Sequence, residues 1–486
     1  MQVPALGTLH GGEIFATASQ PRIYDTDSSN IQPRFGLAWK LGNKTVIRSG
    51  YGIYFTASRV AANGAGGPGH AGNSQVTSWI TTYNNDGSTP WGRLSDPFPG
   101  TGPALPPGSS LGLLNDIGLP ANGPYCNLNS TPYEQTWNFD IQRELPGGVL
   151  LDVGYVGKKG THLYFGGDIN NNHLPLNVES LTPAQASQLT TFVKNPFYGI
   201  ITNPLSTLSK TTVQAYQLML PFPQFTTFGG DSPPEANSSY NGLQMRVEKR
   251  MSGGLQLLGT YTFSKALDDA SVSQDSFNTG TTSLQDPNNR RLERGLSLFN
   301  DTQVFQFSHV YELPFGRKRK FGSNWNPVVN SILGGWRVTG IWTFDSGRPL
   351  SPTLTGGVSI PTYGSQRPNL VGAPERNTGP NALANYFIDN SVFSKPASYT
   401  IGNAPRTLSN VFAPGQANAN ISVSKEFTLD FVREGMRIQL MAQSLNAMNH
   451  PQFAAPNLSV GSAAFGTTTS IANTPREIEL ALKLRF

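Results

Sequence analysis

The chain has 486 residues; 13% are charged, 37% are hydrophobic, 52 are Gly and 37 are Pro, so it is rich in turns and poor in helix formers. Its 35 basic and 30 acidic residues are spread along the whole length, and the net charge of +5 forms no nucleic-acid-binding stripe. The single cysteine, Cys126, excludes an internal disulfide framework and any CxxC metal or redox site.

The N-terminus, "MQVPALGTLHGGEIF", lacks a basic segment followed by an apolar run of signal-peptide length, and no stretch of about 18 consecutive apolar residues occurs. A transmembrane barrel has no such stretch either, because its strands alternate. Alternating segments then recur in pairs. "PRFGLAWK" and "TVIRSGYGIYF" flank Leu41 to Asn43, and "EQTWNFDIQREL" and "VLLDVGYVG" flank Pro146 to Gly148. "YNGLQMRVEKR" and "LQLLGTYTFSK" flank Met251 to Gly254. "TQVFQFSHVYEL" and "GWRVTGIWTFD" are joined by a longer connection, Pro314 to Gly335; "ANANISVSKEF" and "MRIQLMAQSLN" form the fifth pair, and "REIELALKLRF" closes the chain. About eleven strands are predicted.

Links within pairs are mostly a few residues of Gly, Pro and Asn, as hairpins require. Links between pairs are long: Thr56 to Pro132, Thr161 to Ser239, Ala266 to Phe299, Ser346 to Gln416 and Ala447 to Asn473. Several structureless links of that size are foreign to a compact soluble domain. Short turns at one end and long loops at the other are the layout of an outer-membrane barrel.

In several strands charge stays off the aromatic phase. Gln244, Arg246 and Glu248 alternate with Leu243, Met245 and Val247, while Leu257, Tyr261 and Phe263 oppose Thr260, Thr262 and Ser264. Trp336, Val338, Trp342 and Phe344 oppose Arg337, Thr339, Thr343 and Asp345; Ile438 and Leu440 oppose Arg437 and Gln439. Trp137 and Phe139 join the apolar, girdle-forming set, and Leu258, Met441 and Leu445 are apolar intruders on the polar phase. In the closing segment Leu480, Leu482, Leu484 and Phe486 alternate with Glu479, Lys483 and Arg485 to the last residue. The polar phase is expected to face a lumen and the apolar phase lipid. A strand of about 10 residues, tilted about 45°, spans about 23 Å, close to the apolar band of such barrels. Alternation alone also describes a soluble β-sandwich; the loop asymmetry, girdle aromatics and aromatic C-terminus favour the membrane.

Chemical motifs are weak. "GPGHAG" at Gly67 has no strand before it or helix after it, and "DTDSSN" at Asp25 lacks the Gly and Glu that complete a calcium loop. The six histidines show no metal-ligand spacing and read as loop or strand-end residues; "SVSK" at Ser422 lies on a strand, not at a helix start. Asp268, Asp269 and Asp275 read as solvated loop carboxylates, and "GRKRK" at Gly316 as a turn in solvent rather than a site for an acidic partner. No cofactor, metal site or catalytic constellation is expected, so the chain is not read as an enzyme.

The segments "IQPRFGLAWKLGNKTVIRSGYGIYF", "YVGKKGTHLY", "SSYNGLQMRVEKRMSGGLQLLGTYTFSKALDDAS", "HVYELPFGRKRKFG", "GGWRVTGIWTFDSGRPLS", "TIGNAPRTLSN" and "RIQLMAQSLNAMNHPQFAAPN" resemble, in order, barrel segments of Oar-like TonB-dependent outer-membrane receptors, which often carry a carboxypeptidase-regulatory-like domain. The resemblance implies an all-β antiparallel barrel of about 22 strands around a plug, of which residues 1–486 would be the C-terminal half, with plug, TonB box and signal peptide absent. It further implies energy-coupled uptake of a large scarce solute, such as an oligosaccharide, peptide or chelate. The implied partners are outer-membrane lipid and lipopolysaccharide, a TonB-type coupling protein acting through the plug, and a barrel-assembly machinery that reads the terminal strand. A β-rich surface-exposed adhesion or structural protein and an outer-membrane or extracellular hydrolase are the alternatives.

Overall fold

The computed structural model describes residues 1–12, 14–19, 21, 27–56, 72, 77, 81–83, 86–98, 102–103, 105–122, 130–164, 171–175, 181–229, 234–271, 284–429 and 432–486. Eleven strands make one antiparallel meander in which each is hydrogen-bonded to the next in sequence. They are β1 (Arg34–Leu41), β2 (Thr45–Phe55), β3 (Tyr133–Leu145), β4 (Val149–Tyr164), β5 (Pro234–Ser252) and β6 (Leu255–Asp268), then β7 (Gln303–Glu312), β8 (Trp336–Asp345), β9 (Ala417–Thr428), β10 (Arg437–Leu445) and β11 (Glu477–Arg485). The two-residue strand Gly295–Leu296 pairs with the end of β6. The sheet is open, with β1 and β11 as its edges.

Each predicted pair forms at nearly its predicted place, because a period-two pattern next to a tight turn fixes both strand and register. In the turn after β5, Gly253 and Gly254 both take positive φ, 58° and 80°, which β-carbons would oppose. Two strands outrun the alternation. β4 continues to Tyr164 and β5 begins at Pro234, held by mutual pairing such as Ser238 with Gly160, across two register shifts near Ala236.

The long links, expected to be structureless, are largely folded where described. They carry a helix, α1 (Pro183–Gln188), opened by a capping box on Thr182, and short ladders such as Phe192–Lys194 with Thr212–Gln214. Together with the N-terminal segment they also hold the core. Val3, Phe197, Ile201, Leu208 and Val213 form one apolar cluster, and Leu350, Tyr386, Phe387, Phe393, Leu408, Val411 and Val460 form another. Short polar side chains make this packing possible by serving buried backbone groups: Asn195 Nδ2 donates to the carbonyls of Leu208 (2.8 Å) and Lys210 (2.6 Å), and Asn172 Nδ2 to those of Phe222 and Phe225. Burial is therefore inverted relative to a soluble domain. The loops enclose Phe197 and Phe387, whereas Phe35 on β1 is 70% exposed and Leu480 on β11 is 82% exposed.

Candidate functional site

Residues directly opposed across a ladder share a face, so the register carries face identity from strand to strand. Arg246 lies opposite Asp152 and Thr260, and the row continues through Gln306, Thr343 and Asn418. Gln244 (opposite Gly154 and Thr262), Glu248 (opposite Leu150 and Leu258), Arg337, Asp345, Arg437, Glu479 and Lys483 are on this same polar face. The opposite face brings Trp137, Phe139, Leu257, Tyr261, Phe263, Trp336, Trp342 and Phe344 together with Leu480, Leu482 and Leu484. Phe486, just past β11, is 82% exposed. One predominantly apolar face thus runs over the eleven strands, broken at a few positions such as Lys249, His309 and Lys425.

Ion pairs punctuate the polar face: Arg246 with Glu248 (2.7 Å), Lys158 with Glu134 (3.0 Å), Glu312 with both Arg319 (2.8 Å) and Arg337 (3.1 Å), and Arg437 with Glu426 (3.6 Å). All are partly exposed, so they keep the face wetted rather than stabilise it. Between β6 and β10 the face dips into a hollow of about 400 Å³ whose polar lining includes Gln256, Ser308, Thr339, Asn420, Ser422 and Gln443. The apolar intruder Leu258 lines it as well. The lining is more apolar than polar and contains no carboxylate, lysine or arginine.

At the loop rim, two buried arginines tie the loops together. Arg367 Nη1 donates to Glu293 Oε2 at 2.8 Å, while the Arg367 backbone N–H donates to Gln285 Oε1 (2.6 Å), whose amide in turn donates to Gly402 O (2.9 Å). Arg406 pairs with Asp268 and donates to Glu293 O (2.8 Å) and Ser271 Oγ (2.6 Å). Burial, aided by the Asp286 charge, pushes the Tyr363 hydroxyl up to about 12, so it stays a neutral partner for Asn288 Nδ2 at 2.7 Å. Burial and then Asp345 raise the carboxyl of Asp301 above its ordinary range. The cap residues carry no signal in the sequence, since Glu293 and Arg367 are 74 positions apart.

Several expectations need correction. Asp268 is not a solvated carboxylate but the buried partner of Arg406, and Asp269 accepts from Asn237 N at 2.6 Å. Asp345, though on the polar face, turns its carboxylate to the backbone N–H groups of Gly347 (3.1 Å) and Gln416 (2.9 Å), pinning the start of a loop. His309 is neither in a loop nor at a strand end; it lies in the middle of β7 on the apolar face, opposite Leu257 and Gly340. Lys425, unremarked in the sequence, also lies on the apolar face, opposite Trp336 and Leu440. Cys126, His70, Asp25, Asp275 and most of "GPGHAG" lie outside the described residues. Asp27, from the calcium-like segment, accepts from its neighbour Ser29 N at 2.9 Å. Among the described residues no three or more His, Cys, Asp or Glu gather as a metal site would need.

A family model described as "Outer membrane beta barrel domain" matches residues 3–479. No curated protein matches the chain. Among solved structures, the outer membrane transporter YddB from Escherichia coli is similar at 11% identity and a TM-score of 0.40, over 93% of this chain and 40% of that one. The ferric-catecholate import receptor Fiu from E. coli K12 is similar at 10% identity and a TM-score of 0.35, over 92% of this chain and 34% of that one. The FrpB iron transporter from Neisseria meningitidis is similar at 11% identity and a TM-score of 0.34, over 94% of this chain and 39% of that one. The chain thus spans about two-fifths or less of the length of these three proteins.

Proposed function

Because the chain belongs to the outer membrane beta barrel domain family and so resides in the outer membrane, we propose that it is part of the wall and loop cap of a receptor that takes up a large polar solute. The supporting observation is the opposition of a predominantly apolar, exposed face to a wetted polar face bearing the hollow beside Thr339 and Asn420. The apolar face meets hydrocarbon and the polar face an aqueous interior, so both have their environment.

The open edges at β1 and β11 are costly in lipid, since each leaves a row of backbone groups without partners. Closure therefore takes further strands, and the proposed whole is the TonB-dependent type of about 22 strands with a plug, of which this sheet is the C-terminal half. Uptake would be driven through the plug by a TonB-type protein. The hollow favours an oligosaccharide or peptide over an anionic chelate. The chain itself performs no catalysis in this reading.

Two measurements test the proposal. The chain should fractionate with the outer membrane and need detergent for extraction; recovery as a soluble protein without detergent would support the adhesion alternative. The closed receptor should bind members of a panel of neutral oligosaccharides and peptides, and Thr339→Val with Asn420→Leu should weaken that binding about tenfold or more, the loss of roughly one or two hydrogen bonds. Absence of binding across the panel would remove the receptor reading while leaving the membrane wall intact.

A further inference from the structure

The connection between β7 and β8, residues 313–335, is far longer than the neighbouring turns at the same rim. From Leu313 to Gly335 it carries Arg317, Lys318, Arg319 and Lys320 and no carboxylate. It folds into a basic loop followed by a short helix, α2 (Pro327–Leu333), whose N-cap Asn326 accepts from Val329 N at 2.9 Å. The helix does not bury its apolar side chains: Val328 is 67% exposed and Ile332 60%, and Leu333, Phe315 and Phe321 are exposed too.

Its attachment fixes where those side chains stand. The indole Nε1 of Trp336 donates to Ile332 O at 2.9 Å, and Lys425 Nζ donates to Gly334 O at 2.5 Å. Trp336 and Lys425 are cross-strand partners on the apolar face, followed on the same face by Val338 and Val423. The end of α2 is therefore tied to the apolar side of the wall, at the rim. Two of the basic residues serve the loop itself. Arg319 pairs with Glu312 on the polar face at 2.8 Å, and Arg317 Nε donates to Trp325 O at 2.8 Å. Lys318 and Lys320 are exposed, and among the described residues neither has a carboxylate partner. Lys320 Nζ sits 5.5 Å from the ring of Phe321, so a cation and an oily ring stand side by side.

We infer that residues 313–335 form an interfacial anchor: Val328, Ile332 and Leu333 enter the leaflet at the short-turn rim, and Lys318 and Lys320 bind the phosphates of acidic phospholipid headgroups. The inference rests on the reading that the apolar face meets lipid. A helix with exposed aliphatics beside unpartnered lysines, held on the lipid side of the wall, is the arrangement by which a segment lies in an interface. It also explains the lysine on the apolar face. Lys425 reaches to the rim, as a long cation does near a membrane boundary, and the carbonyls at the end of α2 receive its charge. Acidic headgroups, rather than another protein, are the occupants that the uniform positive charge and the attachment to the apolar face together favour.

The test uses the closed receptor containing this chain, with Cys126→Ser and a bimane label at Ile332→Cys, inserted into phosphatidylcholine vesicles. Brominated phosphatidylglycerol should quench the label at a mole fraction about 25-fold lower than brominated phosphatidylcholine, each lysine contributing about fivefold. Lys318→Asn with Lys320→Gln should erase that preference while leaving quenching by the neutral lipid. Equal quenching by the two lipids in the parent chain would overturn the headgroup site. A second label, at Leu257→Cys, separates the underlying reading: quenching there with none at Ile332 would overturn the anchor alone, and quenching at neither position would overturn the lipid-facing wall as well.

Discussion

Arg406 and Asp268 are 138 residues apart in the chain and face each other in a buried ion pair where the loop after β8 meets the upper end of β6. The same guanidinium holds Glu293 O and Ser271 Oγ, so one side chain joins three segments of the cap. Arg406→Met leaves the Asp268 charge buried without its partner, which costs about 3–5 kcal/mol where such pairs are broken. The loss should be local. Hydrogen exchange should speed up in residues 284–297 and 400–411 while the ladder amides of β7 and β8 keep their protection; uniform protection in the variant would show that the pair does not hold the cap.

The two faces predict an asymmetry between neighbouring substitutions. Leu257 is on the apolar face opposite His309, and Arg246 is on the polar face in an exposed pair with Glu248. In a closed barrel, Leu257→Arg should cost about 2–4 kcal/mol near the midplane, while Arg246→Leu should cost under about 1 kcal/mol. Denaturant unfolding in lipid vesicles measures both, and equal costs would reverse the face assignment.

Gly340 is required by contact rather than by its backbone angle. A β-carbon there would lie 2.5 Å from Cε1 of His309, whose ring covers the glycine from the adjacent strand. Gly340→Ala should cost about 1–3 kcal/mol, as overpacking does. His309→Ala should recover most of that in the double variant. If the two substitutions add without recovery, the imidazole is not what excludes the β-carbon.

Asp301, at the loop rim before β7, has its carboxyl pushed up by burial and by the nearby Asp345. The folded state therefore holds this proton more tightly than the unfolded chain. Its stabilising contribution is complete below the unfolded value near 3.8 and is lost as pH rises through the elevated folded value. Asp301→Asn should make the rim more resistant to proteolysis at pH 7 and leave it unchanged near pH 3. Loss of resistance at pH 7 would mean that the charge is favourable there.

The terminal strand gives a prediction tied to the proposed receptor. Leu480, Leu482 and Leu484 share the apolar face, with exposed Phe486 following β11. If a barrel-assembly machinery pairs with this edge and reads its last aromatic, deleting Phe486 from the whole receptor should lower the amount assembled several-fold while shifting the melting temperature little. Normal assembly with a slightly lower melting temperature would leave Phe486 as a girdle aromatic only.

The wall was legible because period two is a local signal: Trp336 to Asp345 displays both faces within ten residues, and its partner strand shows the same phase. The cap was not legible. Its core depends on partners such as Arg406 and Asp268, and on asparagines that replace a ladder of backbone hydrogen bonds, neither of which has a period. His309 and Lys425 were hidden for a related reason. Each is a polar residue on the apolar face, intelligible only once Gly340 or the end of α2 is seen beside it.

The unequal length of the strands shapes the rim of the wall. β4 and β5 run for 16 and 19 residues, whereas β7, β8, β10 and β11 have 9 or 10. At about 3.3 Å per residue and a tilt of about 45°, the longer strands rise roughly 14–23 Å higher than these four shorter ones. The parapet is thus stepped. Its tall side is a continuous ladder that can yield only by breaking many bonds together, while the low side is roofed by residues 346–416 and 446–476, which meet through a few backbone hydrogen bonds such as Thr353 N–H to Leu458 O (2.9 Å) and Tyr386 N–H to Gly466 O (2.7 Å).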